Sequence, residues 1–425
     1  MAYRYASALR RGGLALFLAA GLGACGGSHS GEPATSGASP PSPAATAARG
    51  DLVSGTAIAS QTSAELNTLF KLAGFSSLGP FQYGVTTYRF VYKTITPAGV
   101  LVDASGLLAV PAKTPSTTSP LLSLQHGTIF RDADRPSAAG LTEYYLGVLF
   151  ATFGYVVAMP DYLGYGNSAG MVHPYVHANS LATATVDLLR ASKTWMQTAG
   201  QTHNGQVFLA GYSEGGYATL ATQREMETSL ATEFTVTASV AGAGPYDMSA
   251  TARGLLSGNT LAVPAYVGFV FKAYDTYYNA PSQLGSYFQS SYVPVVDSYF
   301  DGTHAGLAIN AALGGTNVGT SNLFLPSFLS SFLGSGEAAL KARLAENDIY
   351  DWRPTAPTVL FHGPQDDVVP YANTTTAYTT MQTRGSTSVA RVDCTGVSPT
   401  NHTNCAAPFV STVKSTLASY ANNLQ

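Results

Sequence analysis

The sequence predicts an α/β fold in which a mostly parallel β-sheet is covered by helices on both faces. Short, continuous apolar runs recur along the chain, as is typical of strands that are buried on both faces. Helical patterns separate these runs, and strands joined by crossover helices lie parallel to one another. The predicted strands of this kind lie at residues 121–124, 155–159, 207–210, 236–240, 358–361 and, with a weaker pattern, 389–392.

Two further elements are predicted with the sheet. Residues 85–94 and 100–110 are rich in β-branched and aromatic residues, and both end in turn residues, so they are expected to form an antiparallel pair. The clearest helix spans about residues 178–198, where apolar side chains recur along one face.

The composition limits the classes of function. The chain has 425 residues, of which 45% are hydrophobic and only 11% are charged, and its net charge is −3. Such a chain can bury a large core, but it has no basic field that would attract a nucleic-acid backbone. After the leader, no apolar run reaches the roughly 20 residues that a membrane helix needs.

The N-terminus predicts export. Basic residues followed by a short apolar run indicate a signal peptide over residues 1–25. Residues 22–25 resemble the lipobox of bacterial lipoproteins, so Cys25 is the expected lipidation site; an ordinary signal peptide is the alternative. The pair Arg10–Arg11 is similar to a twin-arginine signal, but its surroundings fit that signal poorly. We expect a protein anchored by lipid at the cell envelope, at the outer membrane, or released outside the cell.

The remaining chain divides into three parts. Residues 26–50 are almost entirely small or Pro residues and predict a disordered tether. The α/β core is expected to comprise residues 51–244 and 352–425. Between them, residues 245–351 lack a convincing strand pattern and are rich in aromatic residues, which indicates a helical cap over the sheet edge that carries the site.

A serine nucleophile is indicated by the pattern G-x-S-x-G at residues 211–215. Chance alone gives about 0.4 such matches in this chain, so the context decides. A predicted strand ends just before the pattern and a helix-compatible run starts at Glu214. A sharp turn between strand and helix exposes a serine hydroxyl at the sheet edge, which makes Ser213 the candidate nucleophile.

A serine hydroxyl needs a base, and the base needs an orienting acid. His402 lies in the loop before the last helix and follows the acid candidates in the order Ser, acid, His, so it is the expected base. Asp366 follows the strand at 358–361 and is the expected acid, with Asp367 and Asp247 as alternatives.

Two backbone N–H groups are expected to bind the oxyanion that forms on the substrate. One belongs to Glu214, the residue after the nucleophile. The other is expected after an early strand, where Thr128 is the candidate and Gly127 the alternative. His126, beside them, is expected to hold this loop by hydrogen bonds.

Cys394 and Cys405 flank His402. They are the two cysteines that remain after Cys25, so an exported chain can pair them. We expect a disulfide that closes a loop of 12 residues and stabilises the fold by about 3 kcal/mol. A zinc site is the alternative, but no fourth ligand accompanies the two thiols and the histidine, so no metal is expected.

Six stretches, spread over residues 80–420 in a fixed order, carry a family resemblance: 125–128, 160–166, 173–175, 211–216, 243–247 and 362–370. Together they resemble the α/β-hydrolase superfamily and, within it, esterases akin to the secretory lipases. The resemblance implies an α/β-hydrolase fold with an inserted cap, a Ser213–Asp366–His402 triad and no cofactor. It also implies hydrolysis of hydrophobic carboxylic esters through an acyl-enzyme on Ser213.

The expected partners are a small-molecule or lipid-like ester and, through the lipid anchor alone, a membrane; no nucleic acid is expected. Two other functions were weighed. A peptidase or acylaminoacyl hydrolase would use the same triad, but the apolar cap and the lack of an N-terminal propeller count against it. A binding module on a hydrolase fold would be expected to have lost a triad residue, whereas all three are present.

Overall fold

The computed structural model describes residues 47–113, 118–279 and 281–425. The predicted signal peptide, the lipidation site Cys25 and most of the predicted tether lie outside these residues. The described part contains the strands β1 Leu52–Gln61, β2 Val85–Ile95, β3 Leu101–Pro111, β4 Ser119–Gln125, β5 Val156–Pro160, β6 His203–Tyr212, β7 Val236–Gly242, β8 Thr260–Leu261, β9 Val318–Gly319, β10 Thr358–His362 and β11 Val389–Asp393.

Nine of these strands form one sheet in the order β1-β2-β3-β5-β4-β6-β7-β10-β11. The six strands from β5 to β11 in this order are parallel, while β1, β2 and β3 join by antiparallel pairing. The predicted mostly parallel sheet is therefore confirmed, as is the antiparallel pair β2–β3. Strand β1 was not predicted, because most of its side chains are exposed and give no buried apolar pattern.

The α-helices of the described part are α1 Ser63–Leu72, α2 Thr142–Ala151, α3 Ala178–Thr198, α4 Glu214–Thr228, α5 Met248–Ser257, α6 Pro264–Tyr278, α7 Leu284–Tyr287, α8 Val293–Ser298, α9 Gly306–Ala312, α10 Thr320–Leu323, α11 Pro326–Leu333, α12 Ala338–Glu346, α13 Ala372–Thr383 and α14 Ala406–Ala418. Helix α3 has the predicted bounds. None of the described helices combines the length and the apolar character that are needed to cross a bilayer.

Alternating side chains of the central strands point to opposite faces of the sheet, and each face has its own apolar cluster. Leu122 and Phe208 pack on the face covered by α2 and α14. Their neighbours Leu121 and Leu209 pack on the opposite face, against α3. Because both faces are buried, the sequence of each of these strands is a continuous apolar run.

The segment between β7 and β10 contains eight of these helices, α5 to α12, and the small sheet β8–β9. Its aromatic side chains form a third apolar cluster together with residues that follow the central strands, such as Tyr175 and Tyr246. The sequence pattern had indicated helices without strands here, and the two-residue strands β8 and β9 are too short to produce a pattern.

The parallel strands place several loops at one edge of the sheet. The carboxyl ends of β4, β6, β7 and β10 all lie at this edge, because these strands are neighbours and run in the same direction. The loops that follow them carry the residues that the sequence singles out, which brings together positions far apart in the chain.

Candidate active site

Ser213 stands at a sharp turn between β6 and α4. Its backbone has φ 62° and ψ −124°, a conformation that L-residues rarely adopt. The chain can make this turn only because its neighbours have no side chain: a Cβ on Gly211 would overlap the carbonyl oxygen of Gly215, and one on Gly215 would overlap that of Gln125. The G-x-S-x-G pattern is thus a steric requirement, and the turn presents the Ser213 hydroxyl at the sheet edge.

The imidazole of His402 joins Ser213 to Asp366. His402 Nε2 lies 2.9 Å from Ser213 Oγ, and His402 Nδ1 lies 2.6 Å from Asp366 Oδ2. A carboxylate only accepts hydrogen bonds, so Nδ1 carries the proton and Nε2 is free to accept the proton of the serine hydroxyl. The structure therefore brings the three predicted residues together in the arrangement that proton transfer needs.

Asp366 is buried yet held in its ionised form. Burial alone would raise its pKa, but hydrogen bonds from His362 and His402 and the charges of these rings outweigh burial and hold the pKa well below the usual range. His362 Nε2 lies 3.2 Å from Oδ2, and the backbone N–H groups of Val368 and Val369 donate to Oδ1 at 2.9 and 2.8 Å. A carboxylate with four donors remains charged and fixed in orientation.

Two contacts hold the loop of His402. The Tyr212 hydroxyl donates to the backbone carbonyl of His402 at 2.7 Å, and the two rings pack with centroids 5.1 Å apart. The predicted disulfide between Cys394 and Cys405 is present, with Cα atoms 5.9 Å apart. Both sulfurs are used in this bond, so they are not free to bind the zinc ion of the alternative interpretation.

The alternative acids occupy other positions. Asp367 Oδ1 accepts the backbone N–H of His402, at 3.3 Å. Asp247 begins helix α5, where its carboxylate accepts the N–H of Ala250 at 2.8 Å, as an N-cap does. Of the three carboxylates that were weighed, Asp366 is the one bonded to the His402 ring.

The loop after β4 lies against Ser213. A Cβ on Gly127 would lie 3.9 Å from Ser213 Cβ, and the Thr128 hydroxyl is 2.9 Å from the Tyr175 hydroxyl. The backbone N–H groups of Thr128 and Glu214 donate to no other residue in the described part of the chain. Two unused donors beside a serine hydroxyl are suited to bind a developing oxyanion.

His126 takes part in this loop through its ring. Nδ1 donates to the carbonyl oxygen of Gly127 at 2.7 Å, and Nε2, which carries no proton in the neutral ring, lies 3.4 Å from the carbonyl oxygen of Asp161. Burial lowers the pKa of His126, which favours the neutral ring. These contacts fit the expectation that His126 holds the loop.

A cavity opens above Ser213, between the sheet edge and the helical segment. It encloses about 820 Å³, its open mouth included. Its walls are almost entirely apolar. They are formed by Tyr175, Val176, Ser213, Glu214, Pro245, Met248, Thr251, Ala252, Leu255, Leu256, Tyr266, Val267, Val270, Phe271, Tyr274, Phe332, Leu340, Leu344, Val368 and Val369.

Two residues at the site, His362 and Tyr212, were not assigned a role from the sequence, whereas for His173 the family resemblance implies a structural or pocket-lining role. His362 and Tyr212 support Asp366 and His402 as described, and His173 is bonded to the side chain of Glu214, at 2.7 Å. One signal in the sequence could have indicated the last contact. Glu214 is a charged residue in a turn between strand and helix that is expected to be buried, so it needs a polar partner. Its partner lies 41 residues away in sequence, and no local pattern joins the two.

The chain is similar to known proteins both in sequence and in structure. The model of the secretory lipase family matches residues 141–409. The cell wall degrading esterase LipA from Xanthomonas oryzae is 30% identical, with a TM-score of 0.79 over 88% of this chain and 100% of its own; its ligand-bound form gives the same values. Candida antarctica lipase A in its closed state is 16% identical, with a TM-score of 0.64 over 88% of this chain and 84% of its own, and shares the fold. No curated protein sequence matches the chain.

Gly215→Ala is expected to impair the site without a change in its reacting groups. The added Cβ would overlap the Gln125 carbonyl oxygen and lie 2.8 Å from that of His126, which forces the loop after β4 away from Ser213. We expect a fall in kcat/KM of about 100-fold, because a displacement of this size misaligns the reacting atoms.

The matched control is Gly254→Ala, in helix α5, where an added Cβ meets open space. This variant should raise the free energy of unfolding by about 0.5–1 kcal/mol and leave kcat/KM within a factor of about two. Activity assays and thermal melting of both variants make the comparison. Full activity in Gly215→Ala would contradict the close packing described here.

Proposed function

The chain belongs to the secretory lipase family and is a carboxylic ester hydrolase, and we propose that it acts through an acyl-enzyme on Ser213 with His402 as base and Asp366 as the orienting acid. The single observation that carries this proposal is the position of the His402 ring, which bonds to Ser213 through Nε2 and to Asp366 through Nδ1. The strained backbone of Ser213, which presents its hydroxyl at the sheet edge, supports the same assignment.

In the first half of the reaction, the acyl carbonyl of the ester lies over Ser213. His402 Nε2 takes the proton of the hydroxyl as Oγ attacks the carbonyl carbon, and the charged ring is stabilised by Asp366. The N–H groups of Glu214 and Thr128 bind the oxyanion, with Gly127 as the alternative to Thr128. His402 then returns its proton to the alcohol, which leaves.

In the second half, water replaces the alcohol. His402 accepts a proton from the water as it attacks the acyl carbonyl, and the same N–H groups bind the second oxyanion. The serine oxygen recovers its proton from His402 and the carboxylic acid is released. Asp366 remains ionised throughout, because its four donors hold its pKa well below the usual range.

The substrate is a hydrophobic ester. The cavity that holds the Ser213 hydroxyl is walled by aliphatic and aromatic side chains of α5, α6, α11 and α12. The charged side chain among its walls is that of Glu214, and this carboxylate is bonded to His173. Burial of an apolar acyl chain in such a cavity contributes about 0.8 kcal/mol per methylene.

Asp366→Asn tests the role of the acid. The amide would donate to His402 Nδ1, so the ring proton would reside on Nε2. Nε2 would then face Ser213 as a donor and could not accept the proton of the serine hydroxyl. We expect kcat on p-nitrophenyl butyrate to fall by about 10,000-fold, as expected for the wrong tautomer.

Asp367→Asn is the matched control, because this neighbouring carboxylate accepts the backbone N–H of His402 and not its ring N–H. Its kcat should fall by less than about tenfold, while Ser213→Ala should lose the acyl-enzyme pathway entirely. Equal losses in the two aspartate variants, or an active Ser213→Ala, would contradict the proposed roles.

Ala252→Trp tests the position of the acyl chain. Ala252 lines the cavity from α5, so a larger side chain there should exclude long acyl groups but admit acetyl. We expect the ratio of kcat/KM for dodecanoyl over acetyl p-nitrophenyl esters to fall by about tenfold or more. Ala250→Trp, at an exposed position of the same helix, should leave this ratio unchanged. A ratio that is equally low in both variants, or unchanged in both, would contradict binding of the acyl chain here.

The family indicates export, and the finer proposal is a lipid anchor on Cys25. It is supported by the lipobox-like residues 22–25 and by the fact that the other two cysteines form a disulfide. Acyl chains contribute about 0.8 kcal/mol per buried methylene, so the mature protein should partition into the detergent phase of Triton X-114. Cys25→Ser should move it to the aqueous phase. The same partition for both proteins would contradict the anchor.

A further inference from the structure

A buried carboxylate lines the cavity that contains the Ser213 hydroxyl. Glu214 supplies the proposed oxyanion N–H, and its side chain is only 1% exposed and lines the same cavity as Ser213. Oε1 of Glu214 lies 2.7 Å from Nε2 of His173, which is 2% exposed. A free negative charge at this place would oppose the charge that develops on the substrate, so the state of this pair matters for the reaction.

The hydrogen bonds of His173 fix the number of protons in the pair. Nδ1 lies 2.7 Å from the carbonyl oxygen of Leu163, which can only accept, so Nδ1 carries a proton. The contact between Nε2 and Glu214 needs a second proton, whether it resides on the ring or on the carboxyl group. The pair is therefore an imidazolium with a carboxylate, or a neutral imidazole with a carboxylic acid, and its net charge is zero in both forms.

The surroundings hold the His173 ring in place. Tyr162 stacks on it with centroids 5.7 Å apart and planes 17° apart, and Tyr165 and Phe269 contact it at 5.1 and 5.6 Å. Gly164, at φ +94°, packs so closely that a Cβ there would lie 2.6 Å from the backbone N of His173. Because the ring cannot turn away, Glu214 keeps its partner through the catalytic cycle.

We propose that His173 is a positioning residue that neutralises the Glu214 carboxylate and so keeps the oxyanion site free of negative charge. The inference rests on the proposed function, since it concerns the oxyanion of ester hydrolysis. It assigns the pair an electrostatic role in addition to packing: without His173, the residue that donates its N–H to the oxyanion would also place an uncompensated charge next to it.

The experiment separates charge from packing. His173→Gln keeps a hydrogen-bond donor near Nε2 but cannot carry a positive charge, so an ionised Glu214 is left without a compensating cation. We expect kcat for p-nitrophenyl butyrate to fall by about 100-fold, with KM within about threefold. The double variant His173→Gln/Glu214→Gln removes the carboxylate charge while two amides can still bond, and its kcat should recover to within about tenfold of the parent. Glu214→Gln alone should fall less than His173→Gln.

The control is His304→Gln. It removes an exposed contact in which His304 Nδ1 lies 3.0 Å from Asp301 Oδ1, and kcat should stay within about twofold of the parent. Because an unpaired buried charge can reduce the yield of folded protein, the same comparison is made with His173→Phe, which keeps a ring among Tyr162, Tyr165 and Phe269. Thermal melting verifies that each variant is folded.

Each series compares a single variant, His173→Gln or His173→Phe, with the double variant that also carries Glu214→Gln. The inference would be overturned if the double variant were as slow as the single variant in both series, and the pair would then have a purely structural role. Recovery in either folded series supports it. A parent protein without esterase activity, or an active Ser213→Ala, would instead refute the proposed function, so the two failures are distinguishable.

Discussion

The hydrogen bond between His402 Nδ1 and Asp366 determines which nitrogen of the imidazole faces Ser213, and the chemistry of the site depends on it. A ring with the opposite tautomer would present a proton to the serine hydroxyl and could not accept one. The carboxylate that sets the tautomer is itself held by His362 and by two backbone N–H groups. The orientation of one ring is therefore secured by contacts that extend well beyond the three residues of the proposed triad.

The fold supplies the geometry for this bond. Neighbouring parallel strands end at one edge of the sheet, so loops that are 36 and 189 residues away in sequence from His402 meet there. The strained turn at Ser213 persists because the glycines around it allow close backbone contact and the sheet on either side is fully buried. Tyr212 and the Cys394–Cys405 disulfide then restrict the loop of His402.

Most elements that bury continuous apolar surface could be predicted from the sequence. The site residues in the loops after these elements could be predicted as well. The strands β4 to β7 and β10, the helix α3 and the disulfide all left local patterns, and so did the serine turn. Strand β1 left none, because it is an edge strand with exposed side chains on most of its length. The contacts of His362 with Asp366 and of His173 with Glu214 also left none, since each depends on how loops pack after folding and not on the spacing of residues.

The most direct test of the account is to identify the residue that acts as the nucleophile. The protein is mixed with a fluorophosphonate probe, digested and analysed by tandem mass spectrometry, with the parent and Ser213→Ala compared at equal concentration. The account predicts one adduct per chain, on Ser213, formed at the rate at which esterase activity is lost, and none in the variant. An adduct on another residue that accounts for the loss of activity, or full activity in a protein labelled at Ser213, would contradict it.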